Sequence, residues 1–296
     1  MVENFADRLL GAIDAAGAPV CVGLDPRAER LPDALRGGAG ALPLDAIRTF
    51  CLGVLDAVAG VAPAVKPQIA CFEALGPAGY ELYFELVAEA RRRGLLVIGD
   101  VKRSDIGSSA ELYARGHLAA DPAPDAITVN AYLGDDTLAP FVEAAAAAGK
   151  GLFALVRTSN PSAPQVQDVT DANGATVYEH VADLVAAAGA DERLIGARGY
   201  SAVGAVVGAT YPDEACRLRE RMPQQIFLVP GYGAQGATAG DCAAAFKADG
   251  TGAIVNASRS VIYAFADERY AGRPWQDAVA DAARRFADDV AGAVGR

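Results

Sequence analysis

The sequence predicts an α/β protein folded as one (β/α)8 TIM barrel. Three observations carry this. Eight short apolar, β-branched runs recur along the 296 residues, stretches with helical spacing lie between them, and no Pro/Gly/Ser-rich linker divides the chain midway. Near-continuous apolar runs are the mark of strands buried on both faces. Eight such strands alternating with helices favour a closed parallel barrel over two doubly wound halves. Residues 1–296 are therefore expected to be a single domain with an extra helix at its N-terminal end. A hydrophobic share of 52% against 21% charged supplies the core and excludes wholesale disorder.

The predicted strands, in order, begin with 19–24 (Pro-Val-Cys-Val-Gly-Leu), 64–70 (Ala-Val-Lys-Pro-Gln-Ile-Ala), 95–102 (Leu-Leu-Val-Ile-Gly-Asp-Val-Lys) and 126–131 (Ala-Ile-Thr-Val-Asn-Ala). The second half adds 151–157, 202–208, 226–230 and 253–257. Segments 77–93, 136–148 and 176–188 place Ala, Leu and Val at helical spacing with charges elsewhere, so they read as amphipathic helices. The last helix is expected to open at Pro274, where a missing N–H costs nothing. Residues 160–175 form the one long loop, directly after the fifth strand, and are the candidate lid.

Charge and composition remove several function classes. Lys and Arg total 26 against 37 Asp and Glu, a net charge of −11 with a pI near 4.7. Such a chain is a poor candidate for non-specific nucleic-acid binding or adhesion to anionic membranes, and positive charge for an anionic ligand must be local. The five cysteines (21, 51, 71, 216 and 242) are scattered and never spaced CxxC, as expected of reduced thiols packed as small hydrophobes. The only histidines, His117 and His180, stand near none of them, so no zinc cluster is expected. The N-terminus lacks a basic start followed by an apolar run, and no apolar stretch reaches the ~18 residues of a membrane span. The expectation is a cytoplasmic protein.

In such a barrel, chemistry stands at the C-terminal ends of the strands. There the sequence places Asp25, Lys66, Asp100, Lys102, Asn130, Arg157 to Ser159, Thr210, the Gly231 loop, Ser258 and Arg259. Asp100 and Lys102 are two apart on a strand and face one side, and the following turn brings Asp105 back towards them. An ion pair closing the barrel mouth would also produce Asp-x-Lys. Lysine usage argues for more: the chain has four lysines against 22 arginines, yet two of the four stand at strand ends. An ion pair tolerates Arg, whereas donating a proton requires the ammonium, because guanidinium stays protonated.

The segment Pro230-Gly-Tyr-Gly-Ala-Gln-Gly236 contains GxGxxG, but it follows the seventh strand instead of opening a first βαβ unit. A barrel phosphate site fits better, with backbone N–H groups of the glycine turn joined by the Ser258 hydroxyl and the Arg259 guanidinium. A tight turn beside a solvated Arg is the plainer alternative. No Ser-His-Asp or Cys-His nucleophile is supported, since His117 and His180 fall inside helical stretches. Arg91 to Arg93 end a helix, where cations complement the dipole.

At these residues the chain resembles the orotidine 5′-phosphate decarboxylase family, in its longer bacterial subgroup (type 2). The resemblance is carried by Gly23-Leu-Asp-Pro-Arg27, Lys66-Pro67 with Phe72-Glu73, and Asp100-Val-Lys-Arg-Ser-Asp-Ile106. It continues through Thr158-Ser-Asn-Pro161, Pro230-Gly-Tyr-Gly-Ala-Gln-Gly236 and Ala257-Ser-Arg-Ser260. One departure is Gly107, where many members carry Pro; the charged positions are untouched.

The resemblance implies a homodimeric, cofactor-free and metal-free carboxy-lyase converting orotidine 5′-phosphate to UMP and CO2. Its catalytic array would be Lys66, Asp100 and Lys102 of one subunit with Asp105 of the other. It further implies that Asp25 holds a ribose hydroxyl, Ser159 contacts the pyrimidine, and Gln235 and Arg259 take the phosphate. Ser109 would add a ribose contact across the dimer interface. A magnesium-dependent relative acting on sugar phosphates would need carboxylates free to ligate the ion, and here each has a lysine neighbour. A non-catalytic nucleotide binder would have no need of the four charged residues.

Overall fold

The computed structural model describes residues 3–36, 43–233 and 236–296. Eight parallel strands close into a barrel in sequence order, with β1 (Val20–Leu24) pairing β8 (Ala253–Ala257) through Val20↔Val255 and Cys21↔Asn256. Between them stand β2 (Ala64–Pro67), β3 (Leu96–Arg103), β4 (Ala126–Asn130), β5 (Gly151–Arg157), β6 (Ser201–Val207) and β7 (Gln225–Pro230). The fold is the (β/α)8 barrel that the strand count predicts.

Strands β1, β4, β6 and β8 are buried almost throughout, which is why their sequences are apolar without alternation. The amphipathic helices pack outside. Pro77–Arg92 begins on a proline in its first turn, Asp135–Ala148 ends on left-handed Gly149, and Val177–Ala188 opens with a Thr176–Glu179 capping box. The helix Phe5–Ala16 precedes the barrel and closes its N-terminal end. Arg8 there pairs with buried Asp125 at 2.6 Å, and the Asp125 carboxylate also accepts from the Val97 N–H. Phe5 meets Phe153 edge-on at 5.9 Å, over Gly151, where a Cβ would lie 2.1 Å from the Phe5 ring.

Several boundaries differ from the sequence reading, most by a single residue. The second run, 64–70, is strand only to Pro67; Gln68 then caps the helix Ile69–Glu73 by accepting from the Ala70 N–H. Apolar periodicity cannot separate a strand from the helix that follows it directly. The sixth and seventh strands each start one residue earlier, at Ser201 and Gln225, polar residues buried at the strand start. Pro274 caps the final helix, Trp275–Ala293, from just outside it. Residues 160–175 also contain a short helix, Pro164–Gln167, and a bridge between Thr170 and Thr176.

Candidate active site

A cavity of about 480 Å³ opens at the C-terminal end of the barrel. Polar groups line the side formed by the first four strands: Asp25, Lys66, Gln68, Asp100, Lys102 and Thr128. Leu155, Val206, Leu228 and Pro230 form an apolar wall, and Thr158 to Asn160, Gly231, Tyr232, Asn256, Ser258 and Arg259 complete the rim.

Asp100 is the centre of the polar side. Its carboxylate is buried at 6% exposure and accepts from four side chains. Lys66 Nζ donates to Oδ2 at 2.6 Å and Gln68 Nε2 to the same oxygen at 3.0 Å; Lys102 Nζ and Thr128 Oγ1 donate to Oδ1, the latter at 3.0 Å. Burial alone would raise the Asp100 carboxyl, but the two flanking ammonium groups overcome it and hold it well below the usual carboxylate range. Burial likewise pulls Lys66 down, and Asp100 with Asp25 carries it above the ordinary lysine value. Both buried groups therefore stay charged. Lys102 differs: nearly half of its side chain, 46%, is exposed at the cavity.

The backbone helps to place Lys102. It has φ of 45°, a left-handed conformation unusual for a side-chain-bearing residue, and the β3–β4 register shifts between Gly99 and Arg103. Such a conformation costs on the order of 1–3 kcal/mol and persists only where neighbours over-determine it. Thr128 Oγ1 accepts from the Lys102 N–H at 2.9 Å. On the other side, Arg103 is fastened to Glu73 at 2.6 Å, to His117 Nε2 at 3.2 Å and to the Val101 carbonyl at 3.0 Å. The convergence of Asp100 and Lys102 thus comes from a bulge, not from the simple alternation of a regular strand.

Across the cavity, Gly231, Gly233 and Gly236 all have positive φ, at 123°, 68° and 92°. Ser258 is seated against Gly23, where an added Cβ would lie 2.7 Å from its own Cβ. Ser258 Oγ, Asp25 Oδ1 and Asn256 Oδ1 are buried with no hydrogen-bond partner among the described residues, three polar atoms on the cavity lining suited to a polar ligand.

Of the residues singled out from sequence, Asp25, Lys66, Asp100, Lys102, Ser159, Ser258 and Arg259 line this one cavity. Gln235 lies outside the described residues. Asp105 and Ser109 are not part of the lining; the Asp105 carboxylate accepts from the Ile106 N–H, and Ser109 is exposed on the helix Gly107–Ala114. Within one chain the turn after β3 therefore does not return Asp105 to the lysines. Arg157 is fully buried and structural, paired with Asp168 at 2.6 Å and set over the Tyr211 ring at 3.9 Å. Asn130 turns back to accept from the Tyr132 N–H, and Thr210 lies off the lining.

Gln68, Thr128, Asn256 and Tyr232 belong to the lining without having been picked out. Thr128 and Asn256 could have been found as lone polar residues inside apolar strand runs. Gln68 could not, because its position depends on the early end of β2. Among the described residues no group of three or more His, Cys, Asp or Glu could hold a metal ion. No helix there is long and apolar enough to cross a membrane.

Comparison with known proteins agrees with the geometry. Residues 18–273 match the family model described as orotidine 5′-phosphate decarboxylase / HUMPS family. The chain is 45% identical to the orotidine 5′-phosphate decarboxylase of Rhodopirellula baltica, covering 98% of this chain and 99% of the relative. It is 43% identical to that of Deinococcus radiodurans over the whole of both chains. Among solved structures it superposes on Leishmania donovani OMP decarboxylase with a TM-score of 0.74 and 29% identity, covering 99% of this chain and 100% of that one.

Proposed function

The chain belongs to the orotidine 5′-phosphate decarboxylase / HUMPS family, and on that premise we propose that it converts orotidine 5′-phosphate to UMP and CO2 in pyrimidine nucleotide synthesis, with no metal or organic cofactor. The observation that carries this reading is Asp100, a buried carboxylate held ionised between Lys66 and Lys102 at the edge of an open cavity.

The chemistry follows from the charges. Decarboxylation breaks the bond between C6 and its carboxylate, and the electron pair stays on C6 in the ring plane, where the π-system cannot spread it. Fixed protein charges must stabilise it. Lys102, the ammonium open to the cavity, offsets the carbanion and then passes its proton to C6, forming UMP; solvent reprotonates the amine. Lys66 is ill suited to that step, because it is buried and held in its charged form. Its part is to keep Asp100 ionised. Asp100 beside the substrate carboxylate creates a repulsion that is relieved as CO2 leaves.

The remaining roles divide along the substrate. Asp25 takes a ribose hydroxyl, Ser159 contacts the pyrimidine, and Gln235, Ser258 and Arg259 hold the phosphate. The unpartnered oxygens of Asp25 and Ser258 support the first and the last of these. Asp105 and Ser109 act on the site of a second copy in a homodimer. In support, they flank Ile106 and precede Leu112 and Tyr113, whose exposures of 63%, 57% and 41% leave apolar surface for another subunit to cover. A cytoplasmic location goes with this reading.

The test is the ultraviolet spectrum of orotidine 5′-phosphate mixed with the protein in EDTA. Conversion to the UMP spectrum is expected. An unchanged spectrum, with magnesium-dependent turnover of a sugar phosphate instead, would overturn the proposal.

A further inference from the structure

The loop that follows β7 is built mostly of residues that cannot anchor it. Gly231, Gly233 and Gly236 carry no side chain, and Ala237 ends at Cβ. The loop closes on itself through the backbone: the Gly233 N–H donates to the Ala237 carbonyl and the Gly236 N–H to the Gly233 carbonyl, both at 2.9 Å. Among its described residues, Tyr232 alone has a side chain long enough to reach another element.

That element is the final helix, Trp275–Ala293. The Tyr232 hydroxyl donates to Asp289 Oδ2 at 2.7 Å, and its ring lies 4.7 Å from the ring of Phe286, which is itself buried. Tyr232 and Arg259 also form part of the wall between the main cavity and a second one, whose lining includes Phe286 and Asp289. One side of Tyr232 therefore faces the site while its hydroxyl is tied to the outer helix.

We propose that Asp289 is a positioning residue: acting through Tyr232, it fixes the start of the glycine loop, residues 231–233, at the distance from Arg259 that a substrate phosphate requires. A loop of positive-φ glycines is otherwise free to take many shapes, and ordering it on binding would cost affinity. The tether supplies that order in advance. Asp289 touches no substrate itself. The inference rests on the decarboxylase reading for the identity of the substrate.

Steady-state kinetics of Asp289→Ala, Asp289→Asn, Tyr232→Phe and the Ala/Phe double variant test it. Losing one charge-assisted hydrogen bond should raise KM for orotidine 5′-phosphate roughly tenfold in Asp289→Ala and in Tyr232→Phe, with kcat within about twofold. The double variant should lose no more than either single one, and Asp289→Asn, which still accepts from the hydroxyl, should stay near wild type. Asp289→Ala should turn over orotidine, which lacks the phosphate, as wild type does. An unchanged KM, or an equal loss on orotidine, would overturn the tether. UMP binding by equilibrium dialysis reads it without turnover: Asp289→Ala should bind roughly tenfold more weakly, and equal binding would overturn it. If wild type binds UMP but leaves orotidine 5′-phosphate intact, the decarboxylase reading falls and dialysis still decides the tether.

Discussion

Lys66 and Lys102 share one carboxylate but differ in burial, and that difference is the basis of the separate parts proposed for them. Lys66 is buried at 6% exposure, so its proton is locked in place by the Asp100 and Asp25 charges. Lys102 reaches the same carboxylate from the solvent side, where it can meet a substrate and recover a proton from water. Charge alone at position 102 would be supplied by arginine, while proton donation would not. Lys102→Arg should therefore keep UMP affinity within about tenfold and abolish turnover; wild-type-like turnover would show that another group protonates C6. The lysine count made this pair conspicuous in a sequence otherwise rich in arginine. Nothing in the sequence indicated that the two lysines grip opposite oxygens of Asp100, because that depends on the left-handed backbone at Lys102.

The end of β3 is tied to the helical segment that follows it and to the helix Ile69–Glu73 before it. Arg103 joins them, donating to Glu73 and to His117, which lies at 2% exposure in the turn Arg115–Ala119. Burial, with the neighbouring Arg103 guanidinium, depresses the imidazole from 6.5 to about 4. The unfolded chain takes up a proton below pH 6.5, whereas the folded chain refuses it until about pH 4. This group's contribution is therefore complete above pH 6.5, is lost as pH falls through that window, and is gone below about 4. The loss amounts to about 3 kcal/mol at most. His117→Gln retains an acceptor for Arg103 and removes the titration. Thermal unfolding between pH 7 and pH 4 should show a shallower acid loss of Tm in this variant, and parallel curves would contradict the assignment. The helical setting of His117 was readable from sequence; its burial against an arginine of another element was not.

On the scale of the whole molecule, one barrel gathers Asp25, Lys66, Asp100, Lys102, Ser159, Ser258 and Arg259 at one end but leaves Asp105 and Ser109 outside. If these two complete the site of a second copy, inactive Lys102→Ala and Asp105→Ala chains should rescue each other. Half of the randomly mixed dimers would be mixed, each with one intact site of two, so activity should return to about a quarter of wild type under two-fold symmetry. No recovery, with the mixed dimers verified by mass, would place Asp105 in its own subunit's site.

The strand runs, the barrel and most of its polar rim were legible in the sequence, because burial on both faces demands apolar runs and chemistry demands polar residues where those runs end. Tertiary structure decided the rest. Gln68 reaches Asp100 only because β2 stops at Pro67, and Thr128 holds both the Lys102 N–H and the Asp100 carboxylate only because β3 bulges beside β4. Tyr232 meets Asp289, 57 residues further along the chain, only once the barrel has closed. Apolar periodicity follows from which side of an element is buried, a local property. Contacts between residues far apart in the chain depend on register, closure and backbone strain, which local sequence does not encode.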